Sequence, residues 1–307
     1  MSSILSYAAL LLSLGFGQIA VALPANTAPQ TIPRASATEF RPALWKVRAD
    51  QGTMYLFGSI HFGRADFYPL PGVVEKAFAE SKVLVVEVNI DAVPPLVLLR
   101  KAMAYGMLPL EQNAKELVSP QTWSAVERSA RTFSLPIQTL ERQKPWFIAM
   151  TMTALGVARL GLDPAQGIDK YFLARAGTRK VIDLETVDSQ LSAFDSLPKE
   201  SDEALLAQTL LDLRSPAALE KLLKAWRTGN LAALNQQIVS GHFARDPKGL
   251  AKKVLLDERN VAMTDKLTKL AFRDGPYFVV IGAGHFVGSG NIVELLRKRH
   301  LQVDRIN

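Results

Sequence analysis

The sequence predicts an α/β (α+β) protein with a central mixed sheet surrounded by helices and a large helical insertion between strands. Short apolar runs rich in β-branched residues recur far apart, at Met54–Ile60, Val83–Val88, Val181–Leu184 and Tyr277–Ile281. Runs of that length read as strands buried on both faces. Between them lie long stretches of helical periodicity, and strands alternating with helices imply a sheet with helices packed around it. With 307 residues, 48% hydrophobic and 21% charged, the chain can bury a large core without staples. Its composition excludes a disordered tail, a collagen-like fibre and a polytopic membrane protein.

No charged side chain precedes Arg34. Ile4–Phe16 (ILSYAALLLSLGF) has the length of a signal-peptide apolar region, and Ala20-Val21-Ala22 supplies a small-x-small cleavage pattern. The expected division is a signal peptide over 1–22, a Pro/Ala/Thr-rich linker over 23–39 and one folded domain over 40–307. The mature protein is then periplasmic or secreted, with no stable membrane insertion after cleavage. An uncleaved membrane anchor is the alternative, since the apolar stretch to Leu23 is nearly long enough to span a bilayer.

Leu44–Val47 reads as the first strand, joined through Asp50-Gln51-Gly52 to Met54–Ile60. Val73–Ser81 is a short helix after Pro71-Gly72, and Val83–Val88 is the next strand. Residues 94–177 are mostly helical, punctuated by Pro109, Pro120, Pro136, Pro145 and Pro164. The strand Val181–Leu184 precedes further helices over 204–272, where Leu250–Ala271 repeats apolar residues at nearly 3.6 spacing. Tyr277–Ile281 is a buried strand and Ile292–Lys298 a closing amphipathic helix.

The net charge is +7, but basic residues are scattered and the densest run is only Arg297-Lys298-Arg299. No aromatic-interleaved basic stripe accompanies them, so nucleic acid is not an expected partner. Cysteine is absent, which removes disulfides, thiolate nucleophiles and Cys-based metal sites. Gly-x-Ser-x-Gly and His-Glu-x-x-His are also absent, which disfavours a serine α/β-hydrolase and excludes the common zinc-peptidase helix. Gly282-Ala283-Gly284-His285 puts a histidine where a dinucleotide phosphate turn needs space, with no βαβ unit after it.

The informative positions are the carboxyl ends of the strands, where ligands collect in open α/β sheets. One strand runs into Gly58-Ser59-Ile60-His61, another into Glu87, a third into Glu185 and the last into Gly282-Ala283-Gly284-His285. Two imidazoles and two carboxylates thus emerge from apolar strands, and burying any of them unpaired costs several kcal/mol. They need one another, a cation or solvent. Imidazole with carboxylate suits zinc, manganese, cobalt or iron, and a bound metal generates hydroxide near neutral pH. Of the remaining histidines, His242 and His300 read as solvated or structural. Arg259 reads either as a surface salt-bridging residue or as a guanidinium aimed at a carboxylate or a developing oxyanion.

The chain resembles the TraB/GumN family, which includes the Tiki-type metalloproteases and is similar in fold to erythromycin-esterase and haem-binding ChaN-like proteins. The resemblance runs over about residues 40–301 and is carried by LFGSIHFG, VVEVN, KPWF, GIDKYF, DLET, DERN and VIGAGHFVG. It implies an exported metal-dependent hydrolase of peptide (or ester) bonds, acting on a peptide or protein substrate. The implied metal ligands are His61, Glu87 and His285, with manganese or cobalt favoured over zinc. Glu87, Glu185 and Arg259 are the implied catalytic residues; both glutamates follow a strand, and Glu87 is favoured. Gly58, Gly282, Gly284 and Asp169 are the expected substrate-binding positions. Two other readings stand beside this one: a non-catalytic secreted metal- or haem-binding protein, and a metal-free esterase with His61 as base.

Overall fold

The computed structural model describes residues 40–307 apart from 50, 51, 272 and 274. The expected signal peptide and linker, and the Asp50-Gln51 part of the first turn, lie outside the described residues. A single six-stranded sheet forms the centre, in the order β4-β3-β5-β2-β1-β6. Its strands are β1 (Leu44–Ala49), β2 (Gly52–Ser59), β3 (Val83–Val86), β4 (Lys180–Asp183), β5 (Tyr277–Gly282) and β6 (Gln302–Arg305). Four adjacent strands, β4 at one edge and then β3, β5 and β2, run parallel, while β1 runs antiparallel to β2 and to β6. The sheet is therefore mixed, as expected.

Side chains sort by the two-residue strand period. Tyr55, Phe57, Leu84, Val86, Phe278 and Val280 join one core cluster. Met54, Leu56, Val85, Tyr277, Val279 and Ile281 join another on the opposite face. Every residue of β5 is buried because it is flanked by β3 and β2 and covered on both sides. The strand absent from the sequence reading is β6. Only Val303 of its four residues is buried, and the polar remainder forms an edge that no apolar run announces.

Helix α1 (Gly72–Glu80) links β2 to β3. The stretch between β3 and β4 carries α2 (Pro95–Gly106), α3 (Pro120–Thr132), α4 (Pro145–Arg159) and α5 (Ile168–Ala174). Proline occupies the first position of α2, α3 and α4, where its missing N–H leaves nothing unsatisfied. Between β4 and β5 come α6 (Val187–Asp195), α7 (Lys199–Asp212), α8 (Pro216–Arg227), α9 (Leu231–Ile238) and α10 (Glu258–Ala271); α11 (Ile292–Lys298) precedes β6. Phe78 of α1, Phe172 of α5, Trp226 of α8 and Leu234 of α9 cover one face. Met263 and Leu267 of α10 and Ile292 and Leu296 of α11 cover the other. The helical insertion does not stand alone: Trp123, Trp146 and Met152 share a separate core with Leu191, Phe194 and Leu206 of α6 and α7.

The periodic stretch 250–271 is one helical segment interrupted by a π-helical turn at Lys253–Asp257. A wide turn offsets the faces before and after it, so Leu255 and Leu256 are buried within it and Arg259 and Asn260 just after it. Among the described residues, no helix is long and apolar enough to cross a membrane.

Phe278 sits at the centre of the sheet, fully buried and in ring contact with Phe57, Phe78 and Phe172. Phe278→Ala should cost about 3–5 kcal/mol in urea unfolding, whereas truncating the exposed Leu110 should stay within ~0.5 kcal/mol. Equal costs would contradict this assignment of the core.

Candidate functional site

Since β2, β3, β4 and β5 are parallel, their carboxyl ends lie along one edge of the sheet, and the register pairs Ser59 with Gly282 and Val86 with both Val280 and Asp183. His61, Glu87, Glu185 and His285 all leave the sheet at that edge. The structure thus brings together the strand-end residues that the sequence separates by more than two hundred positions.

His61 is set by the start of α5. The Ile168 N–H donates to the Ile60 carbonyl at 3.0 Å, and Gly167 lies so close to the His61 carbonyl that a Cβ there would clash with it. This clamp places Asp169, in the first turn of α5, with Oδ2 2.6 Å from His61 Nδ1. The Ser59 hydroxyl donates to Asp169 Oδ1 at 3.0 Å. Asp169, expected to meet substrate, is placed against His61. Burial by itself lowers the basicity of His61, but the charge and hydrogen bonding of Asp169 outweigh it and the pKa is raised.

The two carboxylates are held side by side because strand-like pairing continues past β3 and β4: the Glu185 N–H donates to the Glu87 carbonyl at 2.8 Å. Arg259 reaches both. Its Nε donates to Glu185 Oε1 at 2.8 Å and its Nη2 to Glu87 Oε2 at 2.9 Å and to Glu185 Oε2, while Nη1 donates to the Leu255 carbonyl at 3.2 Å in the π-turn. Gln190 of α6 donates through Nε2 to Glu87 Oε2 and Glu185 Oε2, each at 3.0 Å. The Gly282 N–H donates to Glu87 Oε1 at 2.6 Å. Of the two sequence readings of Arg259, the surface one is corrected: the residue is 6% exposed and faces inward. Burial would raise Glu185, but Arg259 overrides it and holds the carboxyl below its usual range. Burial likewise opposes the charge on Arg259, and the glutamates outweigh it and raise its pKa.

His285 follows β5 on a short 3-10 turn, Ala283–Phe286, and is fully buried. Burial first, and then the charge of Arg259, push its pKa down to about 3, so the ring is neutral. Its Nδ1 lies 2.6 Å from Asn260 Oδ1. The Nε2 atoms of His61 and His285 are both buried with no hydrogen-bond partner. A Cβ at Gly282 would stand 3.1 Å from Glu87 Oε1, 3.5 Å from His61 Nε2 and 3.8 Å from His285 Cδ2. Glycine at 282 therefore keeps open the small volume that these three side chains border.

A divalent ion fits this volume in part. The two imidazole rings that border it each carry an unpartnered Nε2, and the charges of Asp169, Glu87 and Glu185 outnumber that of Arg259. Both oxygens of Glu87, however, already accept hydrogen bonds. Among the described residues no group of three or more His, Cys, Asp and Glu is disposed to hold a metal. The residues present fit an ion as an imidazole pair with a carboxylate beside it, rather than as a finished three-ligand set.

A groove of about 490 Å³ opens between α6 and α10, lined by Glu185, Ser189, Ser192, Val254, Arg259 and Lys266 among others. The paired Glu185 and Arg259 both form part of its wall, and neither His61 nor His285 does. Gly58 and Gly284, expected to meet substrate, face packing neighbours: Ala283 and Phe286 for Gly58, Ile238 and Leu256 for Gly284. His242 is buried, with Nδ1 3.4 Å from Asp212 Oδ2, and is structural rather than solvated. His300 is exposed, with a positive φ of 63° after α11. Sequence reasoning missed Ser59, Gln190 and Asn260; each is a neutral polar residue with a partner in another segment of the chain. For Asn260 the one signal was its place beside Arg259.

The metal-free protein should lose stability as pH falls below 6.5. His285 titrates near 6.5 when unfolded and near 3 when folded, so across that interval the unfolded chain binds more protons. His61 acts in the opposite sense: its raised value adds stability that is fully present below 6.5 and is lost as pH rises through the folded value. Urea unfolding of wild type and His285→Gln between about pH 5 and 7.5 separates the two effects. The variant's acid limb should be flatter, and an unchanged slope would assign the limb to other groups.

The TraB/PrgY/gumN family model matches residues 43–305, and the chain belongs to that family. It is similar to an uncharacterized protein of Treponema pallidum (strain Nichols), at 24% identity over 84% of this chain and 80% of the relative. It is likewise similar to the uncharacterized protein YbaP of Escherichia coli (strain K12), at 28% identity over 79% of this chain and 87% of that one. The protein named metalloprotease TIKI1 of Danio rerio is 22% identical over 85% of this chain, which spans 62% of that relative. No solved structure gives a significant match. The family link to hydrolases is therefore distant.

Proposed function

We propose that this member of the family is an exported, metal-dependent hydrolase of peptide bonds, with ester bonds as the lesser alternative. The observation that carries the reading is the pair of buried, unpartnered Nε2 atoms of His61 and His285 beside Glu87, at the carboxyl edge of a parallel sheet. In this reading His61 and His285 hold a divalent ion, manganese or cobalt before zinc, with Glu87 at its side. When bound, the ion polarises an acyl oxygen and lowers the pKa of a water. Glu87 or Glu185 would take the proton of the attacking water, and Arg259 holds both carboxylates in place through its hydrogen bonds.

Arg259 has five N–H donors, and four are engaged by Glu87, Glu185 and Leu255. The remaining Nη1–H is the donor available to a developing oxyanion. The groove that Glu185 and Arg259 line has a volume in the range of small-ligand sites and would receive a short segment of a peptide or protein substrate. Export rests on the apolar segment and cleavage pattern of residues 1–22, followed by the 23–39 linker and the 40–307 domain. A second reading, a metal-free esterase, is favoured by the His61–Asp169 contact, which couples a histidine base to an orienting carboxylate.

Metal analysis of the purified protein, with peptide and ester hydrolysis across manganese, cobalt and zinc, tests the reading. His285→Ala should lose bound metal and activity together. Arg259→Lys keeps a charge between the glutamates but not the fork, so metal should remain while turnover falls on the order of 10²-fold or more. Metal-free wild type that still hydrolyses esters, with activity lost in His61→Ala, would replace this reading with the esterase. Export is checked separately: N-terminal sequencing of protein from the periplasm or medium should begin at Leu23, whereas an intact Met1 on membrane-fraction protein would mean an anchor.

A further inference from the structure

Asn260 is 2% exposed and directly follows Arg259 on α10. A buried side-chain amide costs free energy unless its donors and its acceptor find partners. Its Nδ2 donates to the Gly290 carbonyl at 3.0 Å, which fixes the orientation of the amide. The oxygen is thereby turned toward His285 Nδ1, 2.6 Å away. An amide oxygen only accepts, so the proton of the ring must sit on Nδ1 and the lone pair on Nε2. That Nε2 has no partner and belongs to the ring whose Cδ2 is 3.8 Å from the missing Cβ of Gly282. His61 has a carboxylate, Asp169, in the corresponding position. Both partners orient a ring, but only the carboxylate adds a charge that draws a second proton. The π-turn ahead of α10 lets Arg259 and Asn260 both face inward while Val261 is exposed.

We propose that Asn260 is a positioning residue: it fixes His285 in the Nδ1–H tautomer, so that Nε2 presents a lone pair to the volume shared with His61 and Glu87. The purpose of this arrangement rests on the hydrolase reading above, but the tautomer itself does not depend on it.

The test uses the full-length chain labelled with ¹⁵N-histidine, free of metal, near neutral pH, with His285 assigned through the signals lost in His285→Gln. Wild type should show a protonated Nδ1 and an unprotonated Nε2 at His285. Asn260→Ala should move the ring toward the Nε2–H tautomer or a mixture, and Asn260→Asp, which keeps an acceptor in place, should restore Nδ1–H. In calorimetric titration with Co²⁺ alone, Asn260→Ala should bind 10–100-fold more weakly, the usual effect of removing the partner of a ligating histidine, and Asn260→Asp should recover most of that loss. An Nε2–H tautomer in wild type, or an unchanged Nδ1–H tautomer in Asn260→Ala, overturns the proposal. Should Asn260→Ala not fold, the wild-type tautomer and its retention in Asn260→Asp decide. Wild type that binds no Co²⁺ yet shows the Nδ1–H tautomer, lost in Asn260→Ala, overturns the hydrolase reading and supports the positioning role.

Discussion

Arg259 spans Glu87 and Glu185, and two buried carboxylates at neighbouring strand ends repel each other unless a cation lies between them. Much of the remaining geometry follows from that contact. Glu87 can turn its other oxygen to the Gly282 N–H because Arg259 and Gln190 occupy the first. Through these bonds one ionic centre ties the ends of β3, β4 and β5 to α6 and α10. Removing the guanidinium would leave two buried charges unpaired, a loss of about 3–5 kcal/mol in comparable sites. The arrangement is expensive to break and gains little over an apolar core of the same volume. What it secures is the position and charge of two carboxylates, which packing alone would not supply.

The sheet converts a dispersed sequence into this centre. Parallel pairing of β2, β3, β4 and β5 sends every chain exit to one edge, so residues far apart in the chain meet without a long loop. The helical insertion serves the same edge. It builds its own core with α6 and α7, and that core seats Gln190 on the two carboxylates and leaves the groove between α6 and α10. At the other side of the site, α5 reaches back from the insertion to place Asp169 on His61. The insertion is thus part of the site's wall rather than an appendage of the sheet.

The legible part of the fold was the part written in apolar periodicity. Tyr277–Ile281 and Val83–Val88 announce central strands because burial on both faces demands continuous apolar residues. The edge strand β6 gave no such signal, since solvent on its open side tolerates Gln302, Asp304 and Arg305. The π-turn was equally silent, because apolar spacing is preserved on either side of it and only the phase changes. In the site, ionisable residues after apolar strands were visible as conflicts with burial, and that is how His61, Glu87, Glu185 and His285 could be found. Their neutral partners could not, because an asparagine or glutamine in a helix looks like any solvated position until its partner is known. Asp169 was found with its motif but not its contact with His61, since an acidic residue in the first turn of a helix carries no sign of what it faces.

The difference between the two imidazoles is the most consequential product of that hidden layer. Both rings are buried beside the same carboxylate and the same guanidinium, so Glu87 raises and Arg259 lowers each of them. Desolvation also pushes both toward the neutral form. A single substitution of partner then separates them. The Asp169 carboxylate at His61 outweighs burial and raises its basicity, while the Asn260 amide at His285 adds no charge and burial with Arg259 outweighs Glu87. Two chemically identical side chains less than a side chain's length from the same glycine therefore differ in kind: one is disposed to hold a proton and the other only to accept a bond. A site with two equal histidines would place like charges together on acidification or leave both uncharged. Unequal partners let one small volume present a basic group and a neutral lone pair at the same pH, and that asymmetry comes from neighbouring segments rather than from the two Gly-x-x-His motifs themselves.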